Sequence, residues 1–261
     1  MSNFLTPKKK PQKSLKQLKL GQPVTRNGAV EFFAAADLLA NQINKRDQRS
    51  VKTERVYLPW DKTKIAFKVR NVLTPEECQA LIQASEKGGY ERALVNIGGG
   101  RQILNIEYRD SYRVMIDHSE ISKAIYNKVV GNNNEVSKVL RNYLNGCIKP
   151  VEMNERLRFL KYSENQKFSM HYDGSYTRPS SHPNKGDRSY FTILLYLNKD
   201  YSGSTRLFGA ENSDSEYYDV LPEEGMAFVH QHNILHAGME ISRGRKYVIR
   251  SDIMCRHMDQ K

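Results

Sequence analysis

Two short stretches of the sequence could together hold a metal ion. The stretch FSMHYDGSY at 168–176 places His171 and Asp173 two residues apart, and ILHAG supplies His236, 65 residues after His171. Side chains two apart in an extended strand point to the same side, so the first two can converge on one ion. Two imidazoles and one carboxylate form the facial arrangement that holds Fe(II) and leaves coordination positions open. The spacing therefore predicts a metal site at these three residues.

Two other histidines precede His236 in the stretch VHQHNILH. We interpret His230 and His232 as polar residues at a strand end or in a loop, and ligation by either of them is the alternative. His171 and Asp173 alone would more often be a structural pair than a ligand pair. The metal prediction therefore depends on the third residue and on the strand after it.

The strand predicted after His236 carries several charges on one face. In GRKYVIRSD, the period of two puts Lys246, Val248, Arg250 and Asp252 on the same side. Charges on one face of an apolar strand would be costly in an ordinary core. They are expected where an anionic ligand, such as a keto acid with a remote carboxylate, binds. Arg250 either contacts this ligand or forms a salt bridge with Asp252.

The elements that must position these residues are short strands. From about Glu155 onward, apolar stretches alternate with turn clusters, which is typical of a β-barrel or jelly roll. The strand RSYFTILLYLN is predicted to place Tyr190, Thr192, Leu194 and Tyr196 on one face.

Helices are predicted in the first half of the chain. The stretch VEFFAAADLLANQINKR favours a helix with Phe32, Leu39 and Ile43 on one stripe. LTPEECQALIQASEKGG follows with Thr74 as N-cap and a Gly-Gly stop. A further helical stretch from about 119 to 145 is interrupted at GNNN.

We divide the chain into four regions. They are a disordered basic tail (1–28), a helical lead-in (29–55), a helical and strand-containing support region (56–154) and a jelly-roll core (155–257).

Charge and cysteine content limit the classes of protein. The formal net charge is +12, and residues 1–55 contain 12 Lys and Arg against 4 Asp and Glu. Such a tail either binds nucleic acid or another acidic partner, or is a solvated arm, and PKKKPQK is a candidate nuclear address.

Three scattered cysteines predict reduced thiols, not a disulfide framework. With no apolar run long enough for a signal or a membrane span, we expect a soluble intracellular protein, cytoplasmic or nuclear.

The ordered set of motifs resembles the iron- and 2-oxoglutarate-dependent dioxygenases of the prolyl 4-hydroxylase type. The resemblance covers most of residues 62–255, and its markers are FKVRNVLTPEECQALI, RDSYR, KYSENQKFSMHYD, TILLYLN, GSTRLF, LPEEGMAFVHQHNILHAG and GRKY. Lys246 lies ten residues after His236, which is the interval of the 2-oxoglutarate lysine in such hydroxylases. The sequence departs from the family at Glu164 and Asn165, where a glycine is usual, and at GSTRLF.

The resemblance implies a fold, cofactors and residue roles. The fold is α+β, with a double-stranded β-helix of the jelly-roll or cupin-like kind and supporting N-terminal helices. Fe(II) would bind His171, Asp173 and His236, and the co-substrates would be 2-oxoglutarate and O2, with ascorbate in a supporting role. The implied 2-oxoglutarate contacts are Tyr162, Tyr196 and Lys246, with Arg250 as a further candidate.

The implied reaction is hydroxylation of a C–H bond, most simply on a protein or peptide side chain, with decarboxylation of 2-oxoglutarate to succinate and CO2. Two alternatives stay open: an oxidative demethylase of the same superfamily that acts on nucleic acid, and a catalytically inert basic binding module. Arg109, Asp110 and Arg113 fall where similar enzymes border the substrate cleft, and surface ion pairs are the alternative interpretation. The oligomeric state is not predicted.

Overall fold

The computed structural model describes residues 29–45, 51–131, 134–210 and 216–258, with side chains from Asp37 onward in the first range. The predicted basic tail (1–28) and the side chain of Phe32 lie outside the described residues. The helices are α1 (Ala29–Lys45), α2 (Pro75–Gly88), α3 (Ser119–Val129), α4 (Glu135–Arg141) and a 3-10 turn (Tyr143–Gly146).

Helix α2 begins and ends at the predicted residues. The Thr74 hydroxyl accepts a hydrogen bond from the Glu77 N–H, and the Glu77 carboxylate accepts one from the Thr74 N–H at 2.8 Å. This capping box satisfies two backbone donors that a helix start leaves without partners. Pro75 occupies the first helical position, and Gly89 ends the helix with a φ of 76°.

Most described strands belong to two antiparallel sheets, and we number all strands in chain order. The larger sheet contains β1 (Lys52–Arg55), β2 (Ala66–Arg70), β3 (Glu91–Arg92), β6 (Tyr112–Asp117), β7 (Ile148–Met153), β8 (Arg156–Tyr162), β10 (Arg188–Tyr196), β13 (Ala227–Gln231) and β15 (Lys246–His257). The smaller sheet contains β9 (Phe168–His171), β11 (Thr205–Phe208), β12 (Tyr217–Val220) and β14 (His236–Gly238). A separate hairpin is formed by β4 (Val95–Asn96) and β5 (Gln102–Ile103).

The two faces of the larger sheet bury different cores. One face packs against the helices, with Leu39 and Ile43 of α1 and Leu81 of α2 in the same cluster as Phe191 of β10. The other face packs against the smaller sheet and contributes residues such as Tyr196 to a second cluster. Two antiparallel sheets packed in this way form the predicted jelly roll. The space between the sheets is where the predicted site residues point.

Strand order shows that the first half of the chain completes the same sheet. The larger sheet runs β1-β2-β13-β10-β15-β8-β6-β3, with β7 also paired to β15. Strands before residue 155 therefore flank strands after it on both sides. The division of regions at 155 remains a prediction, and the support region is richer in strands than the sequence indicated. The predicted helical lead-in also ends with a strand, β1.

One residue of β10 lies on the opposite face from the predicted one. Leu194 and Tyr196 belong to the cluster between the sheets, but Tyr190 packs against the helical side. An irregularity in the pairing with β15, between Ser189 and Phe191, shifts the alternation. The prediction of one shared face was therefore wrong for Tyr190.

None of the helices in the described part of the chain combines the length and the apolar character that crossing a membrane requires.

Candidate active site

Three side chains converge where the smaller sheet meets the larger one. His236 of β14 is the direct cross-strand partner of His171 at the end of β9. Asp173 lies two residues beyond that strand end, and its N–H donates to the carbonyl of His232 at 3.1 Å. One ligand atom from each of His171, Asp173 and His236 lies within 4.8 Å of the others. The fold thus brings the three residues predicted from sequence spacing to one point.

Each of the two histidines is oriented by its own strand. The Nδ1 of His171 lies 2.8 Å from the Ser169 carbonyl, and the Nδ1 of His236 lies 2.9 Å from the Ile234 carbonyl. A ring that donates from Nδ1 keeps its Nε2 lone pair free for a metal. Burial, with a contribution from His236, also lowers the pKa of His171 to about 3, so the ring is neutral. This donor set fits a divalent iron ion.

Asp173 is held by two neighbours that the spacing alone did not reveal. The Arg250 guanidinium lies 3.0 Å from one carboxylate oxygen, and the Thr192 hydroxyl donates to the other. Burial alone would raise the pKa of Asp173, but Arg250 and the surrounding histidines outweigh it and hold this pKa well below its usual range. Asp173 is therefore ionised and fixed in orientation.

The two alternative histidines are buried but stand outside the three-residue group. The Nε2 of His230 lies 4.0 Å from Asp173 and has no hydrogen-bond partner among the described residues. Burial lowers the pKa of His230 to about 3. His232 faces Asp252 at 3.5 Å. Both rings are therefore neighbours of the site, and neither lies with the three ligand atoms.

Lys246 is a buried cation in an aromatic pocket. Its Nζ lies 5.6 Å from the ring centres of both Tyr162 and Tyr196, and 5.8 Å from that of Tyr201. Burial lowers the pKa of Lys246 to about 8, and no carboxylate among the described residues pairs with it. The Tyr201 hydroxyl is also buried without a partner in the described part of the chain. An unpaired buried cation beside an unpaired hydroxyl fits a carboxylate ligand.

A glycine allows the two walls of this pocket to meet. Gly244 has a φ of +82°, and a Cβ there would lie 2.4 Å from the Asp200 carbonyl. Gly244 bridges to Tyr201 just before β15 delivers Lys246. The backbone approach at this position is possible only without a side chain.

Arg250 does not line the Lys246 pocket. It bridges Asp173 and Asp252, at 3.0 and 3.1 Å. The two interpretations of Arg250 from sequence were a 2-oxoglutarate contact and a salt bridge with Asp252, and the structure has the salt bridge. The contact to Asp173 was not expected, because alternation along one strand does not specify what faces it across the sheets.

The region of Arg109 to Arg113 lies beside the site. The Arg109 guanidinium stacks over the Phe168 ring at 4.5 Å, next to the strand that carries His171. Asp110 forms an ion pair with Arg92, as the alternative interpretation expected. Arg113 projects from β6 on the same face of the sheet as Lys246.

Tyr201 and Thr192 are the site neighbours that sequence reasoning did not assign. Tyr201 lies in a turn-rich stretch, NKDYSGST, with no periodicity to mark it. Thr192 was placed on the correct face, but its partner Asp173 lies just beyond the end of β9, a strand of the other sheet. The available signal in the sequence was the hydroxyl of Thr192 in the otherwise apolar stretch TILL of β10.

Comparison with known proteins agrees with this geometry. The sequence model of the 2OG-Fe(II) oxygenase superfamily matches residues 157–251. The chain is 27% identical over 165 residues to the probable prolyl 4-hydroxylase 8 of Arabidopsis thaliana, a match that covers 61% of this chain and 51% of that protein. The chain thus spans about half the length of the curated relative it matches.

A solved structure shows the same fold. It is a prolyl hydroxylase from Trichoplax adhaerens in complex with a hypoxia inducible factor oxygen degradation domain peptide fragment. The TM-score is 0.50 at 13% identity, over 88% of this chain and 94% of that one. The predicted double-stranded β-helix is thereby confirmed. The match to the model of the 2OG-Fe(II) oxygenase superfamily, over residues 157–251, contains the three converging side chains and Lys246.

Proposed function

We propose that this protein is an Fe(II)- and 2-oxoglutarate-dependent dioxygenase that hydroxylates a C–H bond on a protein side chain, as prolyl 4-hydroxylases do. The observation that carries the proposal is the presence of two features between the two sheets. A His-Asp-His cluster is contributed by the smaller sheet, and a buried lysine without a carboxylate partner among the described residues by the facing larger sheet.

His171, Asp173 and His236 are the proposed iron ligands. When bound, Fe(II) with 2-oxoglutarate and O2 supplies the oxidation, in which the co-substrate becomes succinate and CO2 and one oxygen atom enters the substrate. Arg250 and Thr192 orient Asp173, and such neighbours of metal ligands commonly set metal affinity.

Lys246 is the proposed anchor for the remote carboxylate of 2-oxoglutarate. Tyr162, Tyr196 and Tyr201 form the walls of its pocket, and their phenols exclude water from the ion pair. Burial raises the pKa of Tyr201 well above its ordinary value, so this hydroxyl stays protonated and can donate to the carboxylate. Arg250 is assigned to Asp173 and Asp252 instead of the co-substrate.

The substrate class is inferred from the relatives. The Arabidopsis relative is named a prolyl 4-hydroxylase, and the Trichoplax structure contains a peptide fragment. A nucleic-acid substrate was suggested by the tail at 1–28, which lies outside the described residues, and the comparisons do not support it.

One experiment tests the assignment. Anaerobic Fe(II) and 2-oxoglutarate binding is measured first, and succinate release is measured after admission of air. Wild type should bind both, His171→Ala should lose iron, and Lys246→Ala should lose 2-oxoglutarate affinity by about tenfold or more, the loss of a charge-assisted contact.

Arg250→Gln is the matched comparison. If it abolishes 2-oxoglutarate affinity while Lys246→Ala leaves it intact, the anchor assignment is wrong. If wild type binds neither iron nor 2-oxoglutarate, the enzyme proposal fails.

A further inference from the structure

Four arginines surround one side of the candidate iron site. We name them the arginine cluster: Arg109, Arg113, Arg158 and Arg250. Arg158 and Arg250 are direct cross-strand partners on β8 and β15. Arg113 projects from the neighbouring strand β6 on the same face of the sheet. Arg109 contacts the ring of Phe168, on the strand that carries His171.

Carboxylates satisfy only half of this cluster. Asp252 pairs with Arg158 at 3.2 Å and with Arg250 at 3.1 Å, and Arg250 also contacts Asp173. Within the described ranges, neither Arg109 nor Arg113 has a carboxylate inside ion-pair distance.

The acidic residue opposite Arg113 raises the pKa of this guanidinium less than burial and the neighbouring arginines lower it. Glu91 is the cross-strand partner of Arg113 on β3, but it is exposed and forms no ion pair with it. Arg109 contacts neutral groups, namely the Tyr162 and Ser111 hydroxyls.

Four other arginines of the described residues are paired with carboxylates. The pairs are Arg156 with Asp117, Arg178 with Glu155, Arg206 with Asp219, and Arg256 with Asp187. Arg109 and Arg113 differ from these four in having no carboxylate at ion-pair distance within the described residues.

Proximity and burial make the cluster costly. Burial, together with the neighbouring guanidinium groups, lowers the pKa of Arg113 to about 10. Like charges in a partly buried setting repel each other and are normally balanced by anions. The protein keeps these charges together, which indicates that an anion arrives from outside.

The co-substrate does not supply that anion. Fe(II) and 2-oxoglutarate cancel in formal charge, so the loaded site would still contain Lys246 and the arginine cluster against Asp173 and Asp252. Five cations then face two carboxylates. The remaining excess of positive charge lies on the β6 side of the site. There Met115, which is on the same face of the sheet as Arg113, is 42% exposed. That side is open to an approaching ligand.

Resting on the proposed function, we propose that the substrate is an acidic peptide, and that Arg113 and Arg109 bind an Asp or Glu side chain near the hydroxylated residue. The guanidinium fork matches a carboxylate and can hold it through two parallel hydrogen bonds. The site thus selects substrates by charge next to the atom that reacts.

The test uses matched pools of short peptides with a central proline. In one pool fixed positions near the proline are Asp or Glu, and in the other they are Asn or Gln. Binding to the Fe(II)- and 2-oxoglutarate-loaded enzyme is measured anaerobically by fluorescence anisotropy, and oxygen incorporation is then measured by mass spectrometry in air.

Wild type should bind the acidic pool about tenfold more tightly than the amide pool, and added salt should reduce this ratio. Arg113→Gln should reduce the ratio to about threefold or less, because one of the two receiving guanidinium groups is lost. Arg113→Lys keeps the charge and should retain most of the preference. Lys123→Gln removes one charge from an exposed position on α3 and should leave the ratio unchanged.

Equal binding of the two pools by wild type overturns the inference, whatever the oxidation result. If a short oligonucleotide displaces the acidic pool as readily as the acidic peptides displace one another, the inference is also overturned. The surface would then bind any anionic polymer without specificity. A retained acid preference without oxygen incorporation into any peptide supports the charge selection and counts against the proposed hydroxylase activity.

Discussion

Lys246 is buried among three tyrosine rings, and this burial determines its pKa. Burial lowers its pKa from an ordinary 10.5 to about 8, and the phenols that face it stay neutral because burial raises their pKa values. In the ligand-free protein, the lysine therefore loses its charge as the pH rises through about 8. A bound dianion would favour the charged form and raise this pKa again.

The affinity for 2-oxoglutarate should therefore depend on pH in one direction. Below about pH 7 the dissociation constant should be constant, and above about pH 8 it should rise by up to tenfold per unit as the free lysine deprotonates. Anaerobic calorimetric titrations across this range measure it. Lys246→Arg keeps its charge at these pH values, so its curve should be flat. A wild-type curve as flat as that of the arginine variant would contradict the assignment.

Thr192 offers a second prediction at the scale of one residue. Thr192→Val removes the hydroxyl that donates to Asp173 and keeps the side-chain volume. Metal affinity should fall by about tenfold, the lower end of the effect of such outer neighbours. Competition for Fe(II) or Mn(II) with a chelator measures it, and Thr192→Ser, which keeps the hydroxyl, is the control. Unchanged affinity in the valine variant would show that Arg250 alone orients Asp173.

The sequence allowed a good prediction of residues whose neighbours are local. His171 and Asp173 share a strand end, and Lys246, Arg250 and Asp252 share one strand face, as period-two alternation predicts. Contacts between separate sheets could not be predicted in this way. The Arg250–Asp173 ion pair joins a strand of the larger sheet to the segment after β9 of the smaller sheet, and alternation along one strand carries no information about it.

At the scale of elements, irregular backbone marks the limits of prediction. The start of α2 followed from its capping residues, because a cap is a local interaction. The face of the sheet on which Tyr190 lies could not be predicted from its position in the sequence, because the irregularity after Ser189 arises from pairing with β15. The Tyr201 wall of the lysine pocket depends on a loop contact that has no local signal.

Gly244 connects the backbone of that loop to the lysine strand. Gly244→Ala places a Cβ against the Asp200 carbonyl at a positive φ, so the loop and β15 must separate. The free energy of unfolding should fall by about 1–3 kcal/mol, and 2-oxoglutarate affinity should fall with it. Urea denaturation and anaerobic titration measure the two effects.

Gly174→Ala is the matched control for stability. A Cβ at this position would meet no atom of the described residues within 4 Å, and the φ of Gly174 is outside the left-handed region. Its stability should stay within about 1 kcal/mol of wild type. Equal stability of the two alanine variants would show that the loop relaxes without cost.

At the scale of the whole molecule, the part of the chain that matches the oxygenase family model depends on the residues before it. Strand β2 covers the edge of β13, and β6 covers the edge of β8, while α1 to α3 bury one face of the sheet. A fragment that begins at residue 155 would expose that face and two strand edges.

Such a fragment should therefore not fold by itself. A chain of residues 155–258 is expected to show no cooperative urea transition by circular dichroism, whereas residues 29–258 should show one. The reason is that the apolar face and the pairing partners are present only in the longer chain. A cooperative transition in the short fragment would establish it as an independent folding unit.

The direct pairing of His171 with His236 has a consequence for how this protein can change over evolution. The two residues are distant in the chain but adjacent across two strands, so their alignment depends on the strand register alone. The loop at 174–187 lies between them in sequence and outside the numbered strands. Insertions or replacements there can change the length and chemistry of this loop while the register that aligns the two proposed metal ligands stays the same.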